Sequence, residues 1–255
     1  MSRFSSPAIL IRRLDYGDFD LIVTFLTYQH GKVTTIAKSA KRSTKRFGGV
    51  LELFSLLNIV VSIGNRKGLP MLAEASLSSP LDRIRESITK TAFASYWAEL
   101  VNDTLEDNQQ QTDVYDVLSY VLKALDTGEI SSDVLSILFQ MRLLTLSGLC
   151  PNLHYCCSCH ADIATAAQHK IDVDLTKGGV VCEHCKPYAS GQPCLSKGTI
   201  KQLQWLNTCD LHKSGRIRFS PAAIQESRRF LEAFVPYHLG REPKSLKFLR
   251  KLRSQ

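Results

Sequence analysis

Residues 51–63 read Leu51-Glu-Leu-Phe-Ser55-Leu-Leu-Asn-Ile-Val60-Val-Ser-Ile63. Positions 51, 53, 57, 59, 61 and 63 are all aliphatic, and Ser55 is the only polar residue in that register. The other register carries Glu52, Asn58 and Ser62 among Phe54, Leu56 and Val60. Successive side chains point to opposite faces of a strand, so the stretch predicts one long strand with one buried face. Working outward, Pro7–Leu14 and Asp20–Thr27 read as strands, the second apolar on both faces. Gly31–Lys38 alternates less well and predicts a third strand. Gly64–Gly68 is a turn, and Leu69–Ala75 returns as a fifth strand. Five short strands with no helical period between them predict a small closed barrel. The economical choice is an OB-fold, and an SH3-like barrel is the alternative.

The pattern changes at Ser79-Pro80. Ser79 has the chemistry of a helix cap, Pro80 suits a first turn, and Asp82 completes an approximate capping box. Apolar residues then recur at 81, 84, 88, 92, 96 and 100, which is helical spacing. Thr112 and Ser131 or Ser132 start two more helices, the latter apolar enough to be central. Residues 150–195 lose the period, and helical patterns resume at Ser196, at Ser220-Pro221 and near Ser245–Leu252. The expected fold is therefore α+β and multidomain. A barrel domain over residues 1–79 precedes an all-α domain over 80–255, with 150–195 as a cysteine-bearing insertion.

The formal charge is +8, but it is unevenly spread. Residues 1–80 carry 11 Lys/Arg against 5 Asp/Glu, residues 81–150 carry 5 against 11, and residues 151–255 carry 16 against 8. Basic ends flanking an acidic middle suit an anionic partner. No apolar run approaches the ~20 residues that span a bilayer, and the N-terminus lacks the form of a secretory signal. A cytoplasmic setting is expected, with the eight cysteines reduced.

Upstream of the long strand, residues 31–49 hold six cations, Lys32, Lys38, Lys41, Arg42, Lys45 and Arg46, and no acid lies between Asp20 and Glu52. Small residues separate the charges, and Gly48-Gly49 closes the run. This describes a cationic lip beside a folded edge, where a polyanion could be held. A solvated loop that aids solubility is the other reading. Arg12, Arg13, Arg66 and Lys67 add charge nearby. Of the neighbouring aromatics Tyr16, Phe19, Tyr28 and Phe47, the last is flanked by Arg46 and Gly48 and is the best candidate to stack on a base. If all six cations of the lip contact phosphates, the log–log salt dependence of single-strand binding should have a slope of about −4.

Cys156-x-x-Cys159 is followed by 22 residues and then Cys182-x-x-Cys185. Each pair can form a knuckle presenting two sulfurs, and two knuckles close a tetrahedral shell of the kind that holds structural Zn²⁺. Gly178-Gly179 supplies permissive backbone before the second knuckle. Cys157 should point away, and His160 and His184 read as surface residues. Four cysteines leave no open coordination position, so the site reads as structural. No phosphate-binding Gly-x-x-x-x-Gly-Lys-Ser/Thr loop, His-Glu-x-x-His, Gly-x-Ser-x-Gly or dinucleotide fingerprint occurs. An enzyme is not expected.

Several stretches together resemble the RecO family of bacterial recombination mediators. They are DYGDFD at 15–20, LIVTFLTYQHGKVTTIAKSAKR at 21–42, RFGGVLELFSLLNIVV at 46–61, GLPMLAEA at 68–75, the cysteine quartet, and REPKSLKFLRKL at 241–252. The resemblance implies an OB-fold followed by a helical domain with a zinc-binding four-cysteine segment. It implies a non-enzymatic protein that binds single- and double-stranded DNA and anneals complementary strands. With RecR, such a protein helps load RecA onto strands coated by single-strand-binding protein (SSB), whose acidic tail it binds. A cytoplasmic, nucleoid-associated location follows, without membrane attachment. Arg228, Arg229 and the basic C-terminal helix are candidates for the rim of the tail-binding groove. A zinc-containing RNA-binding factor and a protein adaptor with basic docking ends are the alternatives.

Overall fold

A computed structural model describes residues 2–43, 46–64, 68–186 and 192–254 of the chain. Two compact units are distinguished, Met1–Thr127 and Gly128–Gln255.

The first unit begins with five strands: β1 Ser2–Tyr16, β2 Asp20–Thr27, β3 Gly31–Ala37, β4 Leu56–Ile63 and β5 Met71–Ser79. They close a barrel in the order β1-β2-β3-β5-β4. The closure between β3 and β5 is parallel, at Ile36 and Met71, and all other pairings are antiparallel. This is the five-stranded Greek-key barrel of the OB-fold. β1 is longer than its alternation implies because it serves two neighbours. Its first half pairs with β4, from Ser2 with Ile63 to Ile9 with Leu56, and its second half pairs with β2 up to Tyr16 with Asp20. A bulge between Leu10 and Arg12 lets the strand turn from one partner to the other. Leu10, Val23, Phe25, Leu57, Ile59, Val61 and Leu72 fill the interior.

The strand expected over 51–63 starts only at Leu56. Phe54 is left-handed, with φ 71°. Its N–H donates to the Leu10 carbonyl at 2.9 Å, and the Leu10 N–H donates to the Ser55 carbonyl at 3.2 Å. The backbone thus clamps the bulge of β1 instead of continuing the ladder, while Leu51, Phe54 and Leu56 remain buried.

Three helices complete the unit: α1 Asp82–Arg85, α2 Ile88–Thr104 and α3 Thr112–Thr127. The expected cap at Ser79 is not used, because Ser79 pairs with Leu56 in β5. Leu81, left-handed at φ 49°, opens the short α1 instead. Ser87 breaks the helical run, and its side chain accepts the Lys90 N–H at 3.4 Å to start α2. Arg85 explains the break by donating to the Leu53 carbonyl at 3.1 Å, which ties α1 to the loop before β4. Ser87→Ala should therefore cost about 1 kcal/mol in urea denaturation, whereas Ser79→Ala should remove no cap.

The helices are anchored to the start of β3. The Asn108 N–H donates to the Lys32 carbonyl at 2.9 Å. Tyr28 and Tyr115 meet edge to face, 5.3 Å apart. Burial, helped by Asp116 and Tyr28, pushes the Tyr115 phenol up to about 12.

The second unit contains α4 Ser132–Leu146, β6 Lys170–Asp174, β7 Gly179–Val181, β8 Cys194–Ser196, α5 Lys197–Thr208, α6 Pro221–Leu239 and α7 Lys244–Arg253. The apolar α4 packs against α5 and α6, as expected for a central helix. Ser196 and Ser220 cap α5 and α6 through their side chains. Within the expected insertion the strands form a small sheet in the order β7-β6-β8. Strands of three to five residues are too short to show a period. Among the described residues no helix is long and apolar enough to cross a membrane.

Candidate nucleic-acid interface and metal centre

The basic lip is positioned by the turn that follows β3. Ser39, left-handed at φ 54°, donates its N–H to the Asp20 carboxylate at 2.7 Å. The Lys41 N–H donates to the Phe19 carbonyl at 3.0 Å. These bonds lay the Lys38–Arg42 turn against the β1–β2 turn. Phe47 then plugs the barrel, and the backbone reverses at Phe47–Val50 through a 3.1 Å bond. The result is an open groove of about 530 Å³. Its floor is Leu21, Ala40, Phe47 and Leu51, and its cations are Arg13, Lys41 and Arg42.

These cations are held but not neutralised strongly. Lys41 pairs with Asp15 at 3.3 Å and Arg13 with Glu52 at 3.2 Å, both at the surface. Exposed pairs of this kind are worth roughly 0–1 kcal/mol, so a phosphate can replace the carboxylate at little cost. The Arg42 guanidinium carbon stands 3.2 Å from the centroid of the Phe19 ring, which orients the cation without cancelling its charge. Arg46 donates to the Lys38 carbonyl at 3.2 Å. Arg12 and Lys38 are exposed and pair with no acid among the described residues. Lys45 lies outside the described residues, as do Arg66 and Lys67.

Two lip residues have other jobs. The Lys32 side chain is only 13% exposed, donates to the Asn102 carbonyl at 2.7 Å and pairs with Asp107 at 3.2 Å. Its charge locks α2 to β3 and is not free for a phosphate. Phe47 is 3% exposed and belongs to the barrel core, so its ring offers no stacking face. The aromatic beside the lip cations is Phe19, 37% exposed, with Tyr16 also exposed in the same turn. Composition places rings near the lip, but which ring is buried depends on the fold of Phe47–Val50. In the other unit, Arg228 is half-buried and Arg229 exposed on α6.

In the second unit, the sulfurs of Cys156, Cys159, Cys182 and Cys185 all lie within 4.8 Å of one another. Cys159 and Cys182 sulfurs are 3.5 Å apart. Four sulfurs around one ion at about 2.3 Å would have comparable separations, so the group fits a tetrahedral metal. The first knuckle is closed by the His160 N–H donating to the Cys156 carbonyl at 2.9 Å, with His160 left-handed at φ 60°. The second is a single 3-10 turn, in which the Cys185 N–H donates to the Cys182 carbonyl at 3.0 Å.

Backbone N–H groups point at the buried Cys156 sulfur, those of Ser158 and Cys182 at 3.4 Å each. Burial pushes the Cys156 thiol up, but the N–H bonds from Cys159, Cys182 and Ser158 outweigh it and bring the group to about 6. Cys185 is pushed up to about 12, first by its bond with Cys159 and then by Cys182. One sulfur is thus ready as a thiolate, and a cation is what would let its neighbours ionise too.

The backbone needs both glycines. Gly178 is left-handed at φ 72°, and a Cβ on Gly179 would stand 2.3 Å from the Asn152 carbonyl oxygen and 2.8 Å from the Cys157 sulfur. Cys157 therefore faces Gly179 and stays out of the cluster, as expected.

Two family models match the chain. "Recombination protein O N terminal" covers residues 1–81, and "Recombination protein O C terminal" covers residues 85–247. Three relatives are each named DNA repair protein RecO. That of Desulfatibacillum aliphaticivorans is 44% identical over 99% of this chain and 98% of its own. That of Desulfosudis oleivorans is 41% identical over 99% of both chains. That of Anaeromyxobacter sp. (strain K) is 32% identical over 98% of this chain and 96% of its own.

Proposed function

The chain belongs to the RecO family of DNA repair proteins, and from that premise we propose that it is a non-catalytic recombination mediator. In this reading it binds single- and double-stranded DNA through the barrel domain of residues 1–79 and anneals complementary strands. With RecR it helps place RecA on strands coated by SSB. The acidic SSB tail docks on the helical domain, residues 80–255, with Arg228 and Arg229 of α6 at the rim. The setting is the cytoplasm, at the nucleoid. The four-cysteine cluster holds structural Zn²⁺, which all-sulfur tetrahedral sites favour.

The observation that carries the DNA-binding part is the groove of the OB barrel, with Arg13, Lys41 and Arg42 over an apolar floor. Complementary strands repel through their phosphates. A surface that neutralises part of that charge lowers the cost of bringing them together, and counterion release supplies the binding free energy. Arg42 is already oriented on Phe19, and Lys41 and Arg13 need only exchange a surface carboxylate for a phosphate.

With Lys32 withdrawn from the phosphate contacts, five lip cations remain, and the expected single-strand slope falls from about −4 to about −3.5. Replacing Lys38, Lys41, Arg42 and Arg46 by Ala should flatten that slope by about 3 and slow annealing. Lys32→Ala should lower stability and leave the slope nearly unchanged. Anisotropy titrations across salt concentrations measure both variants. An unaltered slope in the quadruple variant would remove the lip from the mechanism.

A further inference from the structure

A second concavity lies in the Gly128–Gln255 unit, where the segment bearing the first knuckle meets α5. It has a volume of about 220 Å³. Its apolar wall is Leu153, Ile163 and Ile200, and its rim includes Tyr155, Lys197 and Lys201. We infer that this cleft is a second binding site for single-stranded nucleic acid, taking one base against Tyr155 and the adjoining backbone along Lys197, Lys201 and Trp205 of α5. The inference rests on the DNA-binding reading above and extends it to a surface outside the barrel.

Four observations carry it. First, two aromatics are exposed here. Tyr155 is 53% exposed and Trp205 is 40% exposed, whereas the other tryptophan, Trp97, is fully buried. Second, the cations share their face. Lys197, Lys201 and Trp205 follow at four-residue spacing on α5, so they line one side of the helix. Third, the charge is available. The Lys197 ammonium donates to the carbonyls of Ala164 and Ala166, which orient it without neutralising it. Lys201 is exposed and pairs with no acid among the described residues. The acid on the rim, Asp162, has one carboxylate oxygen occupied by the Ala164 N–H at 2.8 Å. Fourth, the size fits. The cleft is smaller than the roughly 300–1,000 Å³ of pockets that enclose whole ligands. It has room for one planar ring whose chain continues outside. A basic groove with exposed rings beside it is the pattern by which single strands are held without sequence preference.

The walls are tied to one another by hydrogen bonds. Gln204 donates to the Leu153 carbonyl at 2.9 Å, which fixes α5 to the knuckle segment. The Ile163 N–H donates to the His154 carbonyl at 3.1 Å and holds the opposite side.

Tryptophan fluorescence of the full chain tests this, because Trp205 is the exposed tryptophan. Titration with unlabelled oligothymidylate should quench the signal, and Trp205→Phe should abolish the quenching. Tyr155→Ala and Lys201→Glu should each weaken the strand affinity measured by anisotropy about tenfold. The variant lacking Lys38, Lys41, Arg42 and Arg46 separates the two sites. It should bind more weakly overall yet still show Trp205 quenching at higher strand concentration.

Strand binding by anisotropy with an unquenched Trp205, and affinities unchanged in Tyr155→Ala and Lys201→Glu, would overturn the cleft and leave the barrel reading intact. No strand binding at all would overturn both. Quenching by an acidic peptide with an apolar end, but not by oligothymidylate, would assign the cleft to a protein and overturn the inference. Retained metal content and an unchanged urea midpoint identify variants that are folded, and Trp205→Phe and the exposed Lys201→Glu provide two independent ones.

Discussion

Gly31→Ala is expected to lower the stability of the first unit by about 3–5 kcal/mol, a large part of the roughly 5–15 kcal/mol that holds a domain folded. Gly31 has φ +63°, and a Cβ there would stand 1.7 Å from the carbonyl oxygen and 2.5 Å from the carbonyl carbon of Gln109. The obstructing atoms are backbone, so no rotamer change relieves them. A left-handed alanine alone costs about 1–2 kcal/mol. The rest comes from displacing the segment that carries Asp107, Asn108 and Gln109. That movement breaks the Asn108–Lys32 backbone bond and strands the Lys32 ammonium, whose partners are the Asn102 carbonyl and Asp107. A partly buried cation losing its partners is costly. Gly17→Ala is the control, because Gly17 is left-handed at φ +57° with nothing within 4 Å of the added carbon. It should show the strain alone. Urea denaturation at fixed metal content measures the difference. Equal midpoints for the two variants would mean that the Gln109 segment is not held against β3.

Loss of one knuckle should have the larger effect on the second unit. Cys182→Ser is expected to reduce the metal content of purified protein from about one ion per chain to none. Apparent metal affinities of about 10–16 kcal/mol in four-ligand folds indicate how much order such a site supports. The order lost should be that of the segment around β6, β7 and β8, while α4 and α6 keep their own packing. Gly179→Ala should release the metal without touching a ligand, since its Cβ would lie 2.3 Å from the Asn152 oxygen and 2.8 Å from the Cys157 sulfur. Cys157→Ser should keep the metal. Metal uptake should also release protons at neutral pH. The Cys185 thiol, pushed up to about 12 by its bond with Cys159, must lose its proton to ligate. Metal analysis and proton-release titration follow both effects. A full complement of metal in Cys182→Ser would refute the cluster.

The cysteine cluster was legible in the sequence because a knuckle is local: two residues between the sulfurs determine most of its geometry. The barrel was legible for a related reason, since alternation reports one face at a time. It could not report where the backbone leaves the ladder. Leu51–Ser55 keeps the alternating pattern of a strand, but the Phe54 N–H and the Ser55 carbonyl bond to Leu10, far away in the chain, and Glu52 and Ser55 donate to carbonyls within three residues of themselves. The helical run at 81–100 hid a break at Ser87 for the same reason, because Arg85 is drawn to Leu53 by tertiary contact. Lys32 and Lys38 look alike in sequence. Only the fold brings Asn102 and Asp107 to the first and leaves the second exposed. The role of Phe47 was likewise decided by the reversal at Phe47–Val50. The three short strands beside the cysteines had no periodicity to read.

The double pairing of β1 sets an order of events on the ribosome. Residues 8–37 can zip into a three-stranded meander as soon as they emerge, because each strand meets the next across a short turn. The first half of β1 has no such neighbour. Ser2–Pro7 waits for Asn58–Ile63, and the parallel seam between Ile36 and Met71 closes only after that. At about 5–20 residues per second, the nascent chain presents an unpaired strand edge for several seconds. An edge of that kind invites pairing with another copy. Rapid synthesis through residues 38–80 shortens this exposure, and a pause there lengthens it. The yield of folded protein is therefore expected to depend on translation speed in that window.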